Sequence, residues 1–369
     1  MESVDCLVVG AGAIGLAAAR ALAARGREVI VVEATDRIGS GISSRNSEVV
    51  HAGLYYPRGS LMARLCVEGR RALYDFCASR HIPHGECGKM IVAASAGEIG
   101  ELEALRERAR GNGVDDVVLL DGAQARALEP GLSCVAALLS PSTGIFDSDA
   151  YMRALQGELE SLGGVVALKT PALGGAATGE RVALDLGGAA PTRLRCKLLV
   201  NAAGLAATKL ARSVAGLDPA LAPRTYLAKG NYFSLVGQKA PFVRLIYPAP
   251  VSGGLGVHLT FDLAGAARFG PDVEWVEKED YVVDPSRAAS FYAAIRRYWP
   301  DLKDGALQPA FCGLRPKLSP PGAPARDFLI LGPGDYGGVG VVSLFGIESP
   351  GLTASLAIGE HVADLAQGR

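Results

Sequence analysis

The chain opens on two short apolar runs, residues 6–9 (CLVV) and 29–32 (VIVV), joined by three spaced glycines and an alanine-rich stretch. Short β-branched runs bounded by glycine predict buried strands, and the alanine–leucine stretch predicts a helix. The same reading continues down the chain. Residues 61–81 carry Leu65, Leu73, Phe76 and Cys77 at helical spacing. Residues 89–93 (KMIVA) predict a strand, 97–110 a charged, solvated helix, and 121–128 a short helix stopped by Pro130. Ser148 is placed to cap a helix over 149–162 that ends at two glycines. Strands are expected at 165–168 and 182–186, and an apolar run at 196–200 feeds Asn201-Ala-Ala-Gly204 and another helix. Residues 224–281 are rich in aromatic and β-branched positions, which predicts mostly strand. A helix over 285–298, strands at 328–331 and 339–344, and a last helix over 352–366 complete the pattern.

The first unit is strand, turn, helix, strand. Gly10 makes the tight turn, Gly12 lets backbone approach a pyrophosphate, and Gly15 lets the helix sit close on the strand. The helix N-terminus offers free N–H groups to phosphate. Glu33, at the tip of the second strand, is placed to accept from ribose hydroxyls and to repel a 2′-phosphate. Together these predict a dinucleotide site of the non-phosphorylated kind.

The second strand-to-glycine turn, at Gly204, and the C-terminal strand and helix suggest a return to the nucleotide-binding part. The expected fold is therefore mixed α/β: a Rossmann-like domain of residues 1–80, 141–215 and 305–369, with an inserted, mainly antiparallel β-sheet substrate domain of 81–140 and 216–304. Such interleaving suits flavoproteins better than the two-block layout of many nicotinamide dehydrogenases. A length of 369 residues accommodates two joined domains.

Net charge is −1, with charges scattered, so there is no electrostatic case for nucleic acid. The uncharged stretches are broken by glycine or proline before the ~20 residues of a spanning helix, so no transmembrane segment is expected. A peripheral membrane contact stays compatible with the sequence. The N-terminal flank carries Glu2 and Asp5, not Lys or Arg, and its apolar run belongs to the nucleotide unit, so a cytoplasmic location is expected. The seven cysteines have no metal-ligand spacing, and no metal is expected.

Four constellations carry chemistry. In 43–57, Ser43, Ser44, Arg45, Asn46 and Ser47 offer donors, and His51 stands next to small residues in a loop with Tyr55 and Tyr56. In 255–261, His258 alternates with Val257 and Leu259, and so faces away from them. Both imidazoles are candidate bases or ordinary hydrogen-bonded histidines. In 311–331, Arg315 and Lys317 flank a proline in a glycine-bounded turn between strands, and arginine suits a carboxylate. In 341–366, Gly346 ends a strand and Pro350-Gly351 opens a helix whose N-terminus favours negative charge.

The blocks GAGAIGLAAA, SSRNSEVVHAGLYYPRGSLMARLCVEGRRALYDFC, CGKMIVA, NAAGLAA, LAKGNYF, LGVHLTF, GLRPKLS and GIESPGLTASLAIGEHV resemble the FAD-dependent oxidoreductases of the D-amino-acid-oxidase superfamily. Within it they look most like the L-2-hydroxyglutarate dehydrogenase/oxidase branch. The likeness covers nearly the whole chain. It implies FAD held by Gly10, Gly12, Ala13, Ile14, Gly15, Glu33 and Ala34. It further implies contacts from Ser43 to Ser47, from Ala203 and Gly204, and from Gly346 and the turn Ser349, Pro350, Gly351, Leu352 and Thr353. The implied reaction is oxidation of an L-2-hydroxy acid by hydride transfer to flavin N5. His51 or His258 would act as base and Arg315, with Lys317, would hold the α-carboxylate. Tyr55, Tyr56 or Tyr247 would hydrogen-bond the substrate.

Arg58, Lys229 and Arg268 are the expected choices for a second carboxylate. Oxygen, a quinone or an electron-transfer protein would take the electrons. The stretch 248–254 and the following FDLAGAARFGPDVEW differ from well-known members and flank the expected pocket. Cys312 lies near where a related subgroup attaches flavin covalently. The competing expectations are an amine or amino-acid oxidase on the same fold, and a non-catalytic FAD-binding sensor or scaffold.

Overall fold

The computed structural model describes residues 2–250 and 256–368. Most of the stretch 248–254, one of the flanks noted above, together with Leu255, therefore lies outside the described residues.

The first strand, Glu2–Val9, is the centre of the first sheet. It pairs in parallel with Val29–Val32 on one side and Thr192–Asn201 on the other, with Cys6 opposite both Val29 and Leu198. Val165–Ala167 extends the sheet beyond Val29–Val32, and Val341–Phe345 extends it beyond Asn201, again in parallel. Parallel strands need helical crossovers, and both faces must be covered. The strand 6–9 is accordingly buried, with Cys6, Leu7 and Val8 at 0% exposure.

The helices Ala13–Ala24, Leu61–Ser79, Ser148–Ser161 and Gly351–Leu365 pack against this sheet and each other. Two glycines set how closely. A Cβ at Gly359 would stand 2.6 Å from the Ala17 carbonyl oxygen, and one at Gly69 2.5 Å from that of Thr353. Close helix–helix approach thus places the N-terminus of Gly351–Leu365 beside the glycine loop.

The second sheet runs Glu274–Val276, Tyr226–Leu235, Ala267–Phe269, Leu259–Phe261, Leu245–Pro248, Lys89–Ala93, Ala136–Ser140, Val118–Asp121. Among the described residues its pairings are antiparallel save Leu245–Pro248 on Lys89–Ala93. Trp299, Phe291, Phe269 and Phe233 anchor its core. Each such buried aromatic contributes on the order of 3 kcal/mol by the cost of truncating it. The expected mixed α/β fold with an inserted antiparallel layer is therefore what forms.

Several expectations need correction. Leu307–Lys317, assigned by its position after 305 to the nucleotide-binding part, pairs along Tyr226–Leu235 in the second sheet. It is also one continuous strand, so Arg315 and Lys317 do not sit in a turn. Proline argues against strand because it lacks a donor. Here the strand pairs on one side only, and Pro309 and Pro316 are accommodated at that edge. The helix expected from 149 starts at Ser148, and its cap is Asp147, whose carboxylate accepts from the N–H groups of Asp149 and Ala150. The Ser148 hydroxyl instead donates to Glu48 at 2.8 Å. Ala172–Thr178, too rich in glycine and alanine to read as strand, is one.

Candidate active site

A cavity of about 1510 Å³ lies between the two sheets. One end is the glycine loop. Gly10 has φ +104°, and a Cβ there would stand 2.5 Å from the Ala202 carbonyl oxygen. A Cβ at Gly15 would stand 1.8 Å from the Gly10 carbonyl oxygen, so Gly15 serves packing and does not line the cavity. Gly12 lines it and caps the helix without any side-chain bond. Glu33 lines it too. One carboxylate oxygen accepts from the Ala11 N–H at 2.9 Å, and the other from the Thr35 N–H and hydroxyl, both at 2.9 Å. The carboxylate is thus fixed at the strand tip, beside Ala34, with Ala13, Ile14, Ala203 and Gly204 around the same end. Close backbone, an open helix N-terminus and an oriented carboxylate fit a dinucleotide.

The loop after Glu33 forms the next wall. Ser43 takes the N–H of Ala13 at 3.0 Å. Asn46 donates to the Ser43 carbonyl at 2.7 Å and accepts from the Glu48 N–H at 2.7 Å, so it shapes the loop. The Arg45 guanidinium lies 4.3 Å from the Tyr281 ring centroid. Ser47 shares a 2.9 Å hydrogen bond with the Tyr232 hydroxyl. Ser44 does not line the cavity: it is exposed and donates to the Gly41 carbonyl at 3.3 Å. Gly346 is likewise a turn residue, with φ +67° and Leu318 2.6 Å from where its Cβ would be.

The turn after Gly346 does line the cavity, from Ser349 to Thr353. The helix Gly351–Leu365 has no side-chain cap; the Gly351 N–H is taken by the Glu348 carbonyl, which leaves those of Leu352 and Thr353 for the cavity. Thr353 ties this turn to the histidine loop, accepting from the His51 N–H at 3.0 Å and donating to the Val49 carbonyl at 3.2 Å. His51 Nε2 lies 3.2 Å from the Ser349 hydroxyl, and its Nδ1 is buried without a hydrogen-bond partner among the described residues. Burial, aided by the Lys89 ammonium, pushes the His51 imidazole down to about 3. The ring is therefore neutral, and the same burial opposes its taking a proton.

His258 reaches the same cavity from the second sheet, stacked on Tyr247 with ring centroids 3.6 Å apart. Tyr55 and Tyr56 line it as well, and burial holds all three phenols far toward the protonated form. Arg315 projects from the edge strand. Its guanidinium donates to the carbonyls of Asp272 at 2.7 Å and Ala228 at 3.4 Å, yet has no acidic partner among the described residues. Lys317 also lines the cavity, but Glu348 neutralises it at 2.6 Å. Lys317 is thus not the open carboxylate anchor the sequence led us to expect.

The three cations expected for a second carboxylate are engaged elsewhere. Arg58 is exposed and lies over Gly111. Lys229 is buried and bonded to Asp280 at 2.5 Å. Arg268 pairs with Asp262 and Glu48 at 3.2 and 3.6 Å. None of the three lines the cavity. Cys312 is buried with its thiol toward the Asp280 carbonyl at 3.9 Å and does not line the cavity, which argues against covalent attachment there. Sequence reading passed over Tyr232, Glu348 and Lys89. Only Lys89 left a signal: a charged residue heading a strand whose every position is buried.

Among the described residues no cluster of side chains is suited to a metal ion, and no helix is long and apolar enough to cross a membrane. Over the whole chain the fold matches an L-α-glycerophosphate oxidase from Mycoplasma pneumoniae with FAD bound, at TM-score 0.89 and 24% identity, covering 100% of this chain and 95% of that one. It also matches a glycine oxidase from Geobacillus kaustophilus at TM-score 0.83 and 21% identity, covering 100% and 96%. At such identities the likeness shows the fold. Sequence comparison goes further. The L-2-hydroxyglutarate dehydrogenase, mitochondrial, of Arabidopsis thaliana is 45% identical over 98% of this chain and 83% of its own length. The human protein of the same name is 28% identical over 100% and 89%. Residues 5–365 match the DAO model of FAD-dependent oxidoreductases. With its dinucleotide cradle and these relatives, the chain belongs to the DAO family of FAD-dependent oxidoreductases and, within it, to the L-2-hydroxyglutarate dehydrogenases.

Proposed function

We propose that the chain oxidises L-2-hydroxyglutarate to 2-oxoglutarate. One observation carries the chemistry: one cavity joins a dinucleotide cradle to a guanidinium without an acidic partner among the described residues and to neutral imidazole. Arg315 holds the carboxylate next to the hydroxyl-bearing carbon, using guanidinium N–H groups that the Asp272 and Ala228 carbonyls leave over. That grip would fix which face of the α-carbon, with its single hydrogen, is turned toward the cofactor, and so which enantiomer is oxidised. His51 is the first candidate for the base: its Nε2 shares a 3.2 Å hydrogen bond with the Ser349 hydroxyl, which orients the ring and must turn away for Nε2 to take the substrate hydroxyl proton. His258, stacked on Tyr247, forms the facing wall and is the second candidate for the base. The glycine loop and Glu33 would hold the ADP half of FAD, Ser43, Arg45, Asn46 and Ser47 its middle, and the Ser349–Thr353 turn its flavin end. When bound, FAD supplies the two-electron acceptor.

An ammonium substrate is less well served. The acidic groups that line the cavity beyond Glu33 are occupied: Asp272 by Arg287, Glu348 by Lys317, Glu48 by Arg268, and Asp327 by the N–H groups of Leu61 and Met62. Exposed Glu279 takes the Tyr281 hydroxyl at 3.3 Å. Reoxidation falls to oxygen, a quinone or an electron-transfer protein. A cytoplasmic location is retained as a proposal because the first apolar run is spent as a core strand; the relatives above are named mitochondrial.

The test is an anaerobic substrate screen on the holoenzyme, read by flavin absorbance. L-2-Hydroxyglutarate should bleach it, while glycine, sarcosine and D-amino acids should not. Bleaching by an amine alone would overturn the reading, and no bleaching by any of them would favour a sensor or scaffold.

A further inference from the structure

A five-carbon dicarboxylate has two charges, and Arg315 meets one. Arg58, Lys229, Arg268 and Lys317 are engaged elsewhere, and Arg45, which lines the cavity with Lys209 and Arg326, lies over the Tyr281 ring; Lys89 is a further cation, set behind the cavity wall and not itself lining it. This lysine heads the strand Lys89–Ala93 and has 0% exposure. Its Nζ lies 4.8 Å from the Tyr55 ring centroid and 4.7 Å from that of Tyr247, and both rings line the cavity. Nζ makes no hydrogen bond and no ion pair among the described residues. The titratable groups around it are His51, Tyr55, Tyr247 and, from the helix Leu61–Ser79, Cys66. Burial pushes the Cys66 thiol up to about 12, so it offers no anion.

An ammonium out of water with no counter-charge is costly, and two aromatic faces recover only part of that cost. Methionine would fill the same space without the penalty. An unpaired buried cation one ring-thickness behind a cavity wall therefore points to an anion that arrives from the cavity. We propose that Lys89 is the specificity-determining cation of this site. Its ammonium, reached between the Tyr55 and Tyr247 rings, takes the distal carboxylate of a dicarboxylic 2-hydroxy acid while Arg315 takes the proximal one. This deepens the function proposed above and rests on it.

The protonation chemistry is consistent. Burial pushes the Lys89 amine down to about 7, and an incoming carboxylate favours its charged form again. The Tyr55 and Tyr247 phenols, kept protonated by burial, are donors to the same carboxylate.

The test uses the FAD-loaded enzyme and two unreactive ligands, glutarate and butyrate, with binding read from the perturbed flavin spectrum. The unaltered protein should bind glutarate at least about 30-fold more tightly, the usual loss when one partner of a desolvated charge pair is missing. Lys89→Met should bring that preference close to one by weakening glutarate alone, with bound FAD retained. Lys89→Arg should restore part of it. If Lys89 only supports the wall, both ligands weaken together, and the proposal is overturned. Should Lys89→Met not fold, Lys89→Gln and the unaltered protein still decide: equal binding of glutarate and butyrate by the unaltered protein overturns the proposal without any variant. Failure of every 2-hydroxy acid to reduce the flavin would sink the proposed reaction separately, since the carboxylate preference is read by binding.

Discussion

Arg315 offers the sharpest quantitative test of the proposed reaction. Its guanidinium is oriented by carbonyls at 2.7, 3.4 and 3.5 Å, from Asp272, Ala228 and Lys229, and by no carboxylate among the described residues. Gly230 makes room for it, since a Cβ there would stand 3.2 Å from Nη2. A charge-assisted, two-pronged grip on a carboxylate in such a place is worth about 2–5 kcal/mol, or roughly 30- to 5,000-fold in affinity. Arg315→Met should therefore raise the L-2-hydroxyglutarate concentration at half-saturation by at least about 30-fold. Arg315→Lys should recover the point charge but not the fork, and fall between. The assay is anaerobic stopped-flow reduction of the flavin over a substrate series, which separates half-saturation from the limiting rate. Loss concentrated in half-saturation marks ground-state anchoring. A variant whose half-saturation is unchanged while its limiting rate collapses would refute the anchoring role. A Lys variant equal to the unaltered protein would refute the fork.

Three other perturbations follow from the same geometry. His51→Ala should slow flavin reduction by roughly 100-fold or more with FAD retained; a larger loss in His258→Ala, measured alongside, would transfer the base role to the second sheet. Gly10→Ala forces a side chain to φ +104° and within 2.5 Å of the Ala202 carbonyl oxygen. It should cost about 1–3 kcal/mol and lower the flavin-to-protein absorbance ratio, so full FAD occupancy with an unchanged melting temperature would contradict the cradle assignment. The hydrogen bond from Arg27 to Asp5 holds that carboxyl below its usual range against the opposing effect of burial. Because the folded value is depressed, the stability it contributes is full above the ordinary carboxylate range near pH 4 and is lost as pH falls through the lowered value. Asp5→Asn should remove that dependence, so acid unfolding curves of variant and parent ought to converge at low pH; a constant offset from pH 7 to pH 2 would contradict it.

The sequence by itself determined what is local. Glycine spacing, the apolar runs at 6–9 and 29–32, and the acid at Glu33 define the nucleotide unit, because each depends on φ, on Cβ clearance or on strand period within one short segment. The helices 61–79 and 351–365 were equally legible from their periodicity. What only the tertiary structure decided is non-local. Whether a cation is spent depends on which acid the fold brings to it: Lys317 meets Glu348, and Lys229 meets Asp280, 51 residues away. The edge strand Leu307–Lys317 looked like a proline turn because nothing local reveals that one side of it stays unpaired. His51 and Ser349 are 298 residues apart, and their 3.2 Å contact exists because two glycines let helices pack closely enough to bring a loop and a helix N-terminus together. Lys89 is the extreme case. Its strand was legible from five consecutive residues, but that its ammonium meets two aromatic faces and no hydrogen-bond or acidic partner among the described residues is a property of the folded core that surrounds it.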